Sequence, residues 1–216
     1  MPVSAVVCPG IHDPKLTERF LEELRSEVNN TFPNLCQSAN ILVFPAETCP
    51  AYSAPHILQF IRDRLERRCP PHTPGERGTG SRHSSARQVI LIGFSAGVVG
   101  AIGAATWWQM LGGSVEAFIA LDGWGVPLYG DFPIYRLSHD SFTHWSSALL
   151  GAGEDSFYAE PPVEHLQLWR APKTVRGWWN PKTGREWQPP RPINAAQFLV
   201  TLLERHGAFL PPACEQ

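Results

Sequence analysis

The stretch Gln88–Trp108, QVILIGFSAGVVGAIGAATWW, carries no charged residue, and its reading decides the fold. A membrane-spanning helix needs about 20 apolar residues, so the length alone permits one. The internal order argues otherwise. Val89–Ile92 is a β-branched and leucine run that stops at Gly93, the pattern of a buried strand. GFSAG (Gly93–Gly97) then sets Ser95 between two glycines, each two residues away, and GVVGAIGAA continues with small residues. This is G-x-S-x-G, in which a strand turns into a helix so sharply that the serine is forced into a strained backbone. The two glycines leave room for the turn, and the serine hydroxyl is presented at the strand's carboxyl edge. The absence of charge then reflects burial by protein. The stretch reads as strand, elbow and helix.

Composition agrees with a globular domain. The chain has 216 residues, 43% of them hydrophobic, and a formal net charge of -2, with no long run of one sign. That size buries one substantial core and predicts a single domain over 1–216. Arg62, Arg64, Arg67 and Arg68 cluster, but Asp63 and Glu66 interleave them, so a solvated helix face is expected and no nucleic-acid partner. Five cysteines, odd in number and without a C-x-x-C, signal neither a disulfide framework nor a zinc knuckle. The amino-terminal residues MPVSAVVCPGIHDP lack the basic and long apolar regions of a secretory signal, which predicts a reducing, cytoplasmic setting.

Outward from the elbow, strands alternate with helices. SAVVCPG (Ser4–Gly10) and NILVFPAE (Asn40–Glu47) read as strands. Asp13-Pro14 opens a helix bearing Leu16, Phe20, Leu21, Leu24 and Val28. Ile57, Leu58, Ile61 and Leu65 mark a second helix. Further strands are expected at Val115–Leu121, Phe132–Asp140 and Asp155–Pro162, and Asn194 caps a last helix that ends at Gly207. The predicted fold is α/β, a mostly parallel sheet with helices on both faces. Cys69–Arg87, dense in Pro, Gly, Ser and Arg, is expected to be a mobile surface insertion.

With these elements the chain resembles the α/β-hydrolase superfamily over Ser4–Gly207, as a compact version that begins at the family's usual third strand. The resemblance implies hydrolysis of an ester, thioester or amide, or acyl transfer, with a triad in the order serine, acid, histidine. Ser95 would be the nucleophile. The family's acid position falls on Asp140, at the end of PIYRLSHD, and its histidine position on His165, in SFYAEPPVEHL. Asp122, ending the preceding strand, is an alternative acid used by lipase-like members; His139 and His144 are alternative bases. The first oxyanion donor would be the backbone N–H of Ala96, and the second that of Ile11, with Gly10 giving room. The chain departs from the family in lacking G-x-G-H around His165.

Such chemistry requires no metal or organic cofactor. A metal reading of His139, Asp140 and His144 lacks any H-E-x-x-H-type spacing. The expected function is hydrolysis of a small-molecule ester or thioester with an apolar acyl group, since Phe94, Trp107, Trp124 and Trp145 adjoin the motifs. A non-catalytic binding module and an acyltransferase are the alternatives. Among eight tryptophans, Trp169, Trp178, Trp179 and Trp187 share one stretch, in which GWWNPKTGREW predicts a hairpin. That hairpin would pack on the sheet edge, line an acyl pocket or form a partner site.

Overall fold

A computed structural model describes residues 3–33, 40–66, 87–151, 153–182 and 189–209. The expected insertion at 69–87 lies outside these residues, except for Arg87.

Among the described residues, eight strands form one sheet: β1 (Ser4–Cys8), β2 (Asn40–Val43), β3 (Gln88–Phe94), β4 (Ser114–Leu121), β5 (Ile134–Ser138), β6 (Ser156–Ala159), β7 (Arg176–Asn180) and β8 (Arg191–Asn194). Their order across the sheet is β2-β1-β3-β4-β5-β6-β7-β8. Pairing is parallel from β2 to β6 and antiparallel for β6–β7 and β7–β8. The described helices are α1 (Pro14–Thr31), α2 (Ala54–Glu66), α3 (Ala96–Met110), α4 (Ser141–Ala148), α5 (His165–Arg170) and α6 (Ala195–Arg205). The chain moves outward from β1 to β2 and then crosses back to β3 on the other side of β1. In open α/β sheets ligands commonly bind beyond the carboxyl ends of the strands beside such a reversal.

Successive strand residues serve two different hydrophobic clusters, as side chains alternating about a pleat must. Ala5, Val7, Ile90, Ile92, Ile119 and Leu121 join residues of α1, α5 and α6. Val6, Cys8, Val89, Leu91, Phe118 and Ala120 join residues of α2 and α3. Local signals set the helix starts. The Asp13 side chain accepts from Lys15 N ahead of Pro14, and Asn194 with Gln197 forms a reciprocal capping box.

The opening stretch divides into β3 and α3. α3 has 15 residues, and no described helix is long and apolar enough to cross a membrane. Its small-residue face packs closely: a Cβ on Gly100 would come within 2.6 Å of the Ala51 carbonyl oxygen, while Val99, Trp107 and Met110 on the other side are exposed. The tryptophan-rich segment supplies β7, which lies between β6 and β8 (Arg191–Asn194). The expected second arm of the hairpin, through Trp187, falls at 183–188, outside the described residues.

Candidate active site

Ser95 sits between β3 and α3 with φ 52° and ψ −120°, in the region a non-glycine residue occupies only under constraint. Two hydrogen bonds hold it there, from Ser95 N to the Leu121 carbonyl and from Val98 N to the Ser95 carbonyl. The glycines are required, for two different reasons. A Cβ on Gly93 would meet the backbone of Val98 at 2.8 Å, inside the turn itself. A Cβ on Gly97 would lie 2.1 Å from the carbonyl oxygen of Cys8, so that glycine lets α3 approach the end of β1.

The neighbouring loop is equally tight. A Cβ on Gly10 would lie 3.2 Å from the Ser95 Cβ and 3.1 Å from the Phe94 carbonyl oxygen. The Pro9–Ile11 segment therefore crosses close over the elbow, while the Ile11 side chain is exposed. Both expected oxyanion residues, Ala96 and Ile11, thus belong to segments that meet at Ser95.

Ser95, Ala96, Val99, Asp122, Trp124, Val126, His139, Thr143 and His165 line one cavity of about 400 Å³. Ser95 and His165, far apart in the chain, face the same space.

The carboxylate beside His165 is that of Asp122, the alternative, rather than Asp140. His165 Nδ1 lies 2.8 Å from Oδ2 of Asp122, and Asp140 is not its partner. Asp140 instead caps α4, accepting from Thr143 N at 2.6 Å, and its Oδ2 stands 3.3 Å from His139 Nε2. The physical reason is the end of the strand. Asp122 directly follows β4 with φ 50°, its amide donating to the Leu137 carbonyl, and this left-handed turn keeps its carboxylate at the sheet edge. Asp140, two residues past β5, has already entered the cap of the next helix. A sequence signal for this existed, since Asp140-Ser-Phe-Thr is a helix start.

His139 also binds Asp122. Its backbone N–H donates to Oδ1 at 2.9 Å and its Nδ1 lies 3.0 Å from Oδ2, so one residue holds both oxygens. The Asp122 side chain is only 1% exposed. Burial pushes its carboxyl up, but hydrogen bonds from His139 and His165, with the charge of His139, outweigh that and leave it below the ordinary value. The hydrogen bond to Asp122 raises the pKa of His139, against burial and with help from the charges of Asp122 and Asp140. His144, the other alternative base, is buried against Trp145 and Tyr158. Burial, with Arg136 nearby, lowers its pKa to about 4. Among the described residues the side chains whose possible ligand atoms gather within 4.8 Å are Asp122, His139 and His165, not His139, Asp140 and His144.

An aromatic column stands behind His165. Its ring stacks on Phe94 at 4.7 Å, Phe94 stacks on Trp169 at 4.8 Å, and Trp169 stacks on Phe20 at 3.8 Å. Phe94, which adjoins the elbow in sequence, is fully buried and stacks on His165 without lining the cavity. Of the four aromatic residues expected around the motifs, Trp124 lines the cavity, whereas Trp107 and Trp145 are partly exposed on α3 and α4. The column had no signal in the sequence beyond the presence of large aromatic residues.

Comparison with family models and with curated proteins returned no match for this chain.

Proposed function

We propose that this chain is a serine hydrolase of the α/β-hydrolase type, its sheet covered by helices on both faces, that cleaves a carboxylic ester or thioester through an acyl-enzyme. The observation that carries the reading is the strained Ser95 at a strand–helix elbow, sharing a cavity with a histidine whose Nδ1 is bonded to a buried aspartate. Two hydrophobic clusters fed by alternate strand residues support the layered fold. The strand order, with the elbow at the carboxyl end of β3 beside the reversal, supports the family resemblance.

A serine hydroxyl attacks a carbonyl only when a base removes its proton. In this reading Ser95 Oγ attacks, His165 Nε2 takes the proton and later delivers it to the leaving group, and water repeats the cycle on the acyl-enzyme. Asp122 accepts from His165 Nδ1, which fixes the tautomer with Nε2 free and stabilises the imidazolium as it forms. The backbone N–H groups of Ala96 and Ile11 receive the developing oxyanion. Val99, Trp124 and Val126 give the cavity apolar walls suited to an apolar acyl group.

Reaction with a fluorophosphonate probe, and turnover of p-nitrophenyl esters of increasing chain length, test the reading. Labelling confined to Ser95 and hydrolysis lost in Ser95→Ala are expected. An unreactive Ser95 would leave the alternative of a non-catalytic binding module, whereas acyl transfer would label equally and differ in its product.

A further inference from the structure

A triad needs one histidine on its acid, and here two histidines converge on the same oxygen of Asp122. We infer that Asp122, His139 and His165 form a site for one divalent transition-metal ion of the zinc class, whose entry withdraws His165 from catalysis. The inference rests on the hydrolase reading for its effect, but the binding stands on geometry alone.

The donor set is two imidazoles and one carboxylate, which suits zinc and its neighbours rather than calcium or magnesium. The donor atoms are already gathered: one atom from each residue falls within a 4.8 Å cluster, with the two Nδ1 atoms 2.8 and 3.0 Å from Oδ2. At zinc–ligand distances of about 2.0–2.1 Å, tetrahedral ligands stand about 3.3–3.4 Å apart. The hydrogen-bonded spacing is shorter than that by only a few tenths of an ångström, so that small rotations of the two rings both open the set and turn their lone pairs onto an ion.

The outer shell is also present. A metal-bound histidine characteristically donates its other N–H to a carboxylate, and ligating carboxylates are themselves hydrogen-bonded. His139 Nε2 stands 3.3 Å from Asp140 Oδ2, which favours a proton on Nε2 and leaves Nδ1 to the ion. The second oxygen of Asp122 is held by the His139 amide. Asp122, His139 and His165 all border the cavity, which provides the entry path and room for water as a further ligand.

Binding is an exchange of tautomers: each neutral ring keeps its one proton, held on Nε2 while the ion takes the Nδ1 lone pair, so that the proton His165 carried on Nδ1 is replaced by one on Nε2 through solvent. A His165 whose Nδ1 is on the ion keeps its proton on Nε2, the atom that must accept the proton of Ser95. The base is thereby blocked.

Chelator-treated protein is titrated with Zn²⁺ by calorimetry and with Co²⁺ by visible absorption, with probe labelling and ester turnover followed in parallel. One Zn²⁺ per chain is expected, with labelling of Ser95 falling in proportion to occupancy. Ser95→Ala should bind Zn²⁺ as tightly as the parent chain. His139→Asn should weaken binding by about 100-fold, and Asp140→Asn, which can still cap α4, by about 10-fold. No saturable binding, or affinity unmoved in folded Asp140→Asn and His139→Asn, overturns the inference; if His139→Asn does not fold, Asp140→Asn decides. Hydrolysis that persists at saturating Zn²⁺ also overturns it and leaves the hydrolase reading intact. Zn²⁺ binding at these residues in a protein that hydrolyses no ester and takes no label upholds the site and refutes the hydrolase reading.

Discussion

His165 Nδ1 and Asp122 Oδ2 are 2.8 Å apart although 43 positions separate them in the chain. One member of the pair is almost wholly buried, while the His165 side chain is 41% exposed toward the cavity. A fixed anion beneath an accessible imidazole is the arrangement that a proton-transferring base requires.

This pairing makes the two aspartates separable. Asp122→Asn should lower kcat by roughly 10³–10⁴, because an amide there stabilises the wrong imidazole tautomer. Asp140→Asn should cost far less, since asparagine caps a helix about as well as aspartate. Steady-state kinetics on both variants, with circular dichroism to confirm folding, decide the point; a larger loss from Asp140→Asn would return the acid to that position.

The base is tested in the same way. His165→Ala should reduce turnover about as much as Ser95→Ala, because residues acting as a unit are not additive, and the double variant should be little worse than either single one. Additive losses would show that the two residues do not act on one proton.

Gly97→Val tests the elbow. Overpacking typically costs about 1–3 kcal/mol, and more where the obstacle is backbone, as the Cys8 carbonyl is here. The variant should show a clearly lowered Tm or fail to fold, whereas Gly112→Ala, at φ 80° but with open space around it, should suffer only the backbone strain. Equal stability of the two would remove the close approach of α3 to β1 as the reason for Gly97.

Trp169→Ala should destabilise the protein by about 3–5 kcal/mol, the usual cost of emptying a buried indole site. It should also lower kcat more than it raises KM, because Trp169 supports Phe94, on which His165 stacks. Unchanged kcat in folded protein would reduce the column to packing alone.

Acid should destabilise the fold through His144. Its folded pKa of about 4 lies below the ordinary value of 6.5, so the unfolded chain binds more protons between these limits. The stabilisation is present above pH 6.5 and is lost as pH falls toward 4, by up to roughly 3 kcal/mol. Tm measured across this range should fall less steeply in His144→Gln than in the parent chain. Identical slopes would mean that His144 does not titrate with unfolding.

Much of the architecture was legible in the sequence because its causes are local. The β-branched run of β3, the glycines flanking Ser95, the Asp13-Pro14 start of α1 and the Asn194 cap of α6 each act within a few residues. The alternation of these elements was enough to predict an α/β fold with a mostly parallel sheet, and the sheet has that form. β8 was missed: RPIN has neither length nor alternation to distinguish it, and it is a strand only because β7 lies beside it.

The composition of the site was decided by tertiary structure. Asp122 and Asp140 both follow apolar strands, and within the two segments only the helix start at Asp140-Ser-Phe-Thr distinguishes them. The parallel register that sets Leu121 opposite Leu137 makes Asp122 and His139 neighbours across two strands. The crossover from β6 into α5 then brings His165 to the same carboxylate. Ser95 was identifiable because its strain arises from adjacent residues; its partners were not, because strand register and helix placement are fixed by packing across the whole sheet.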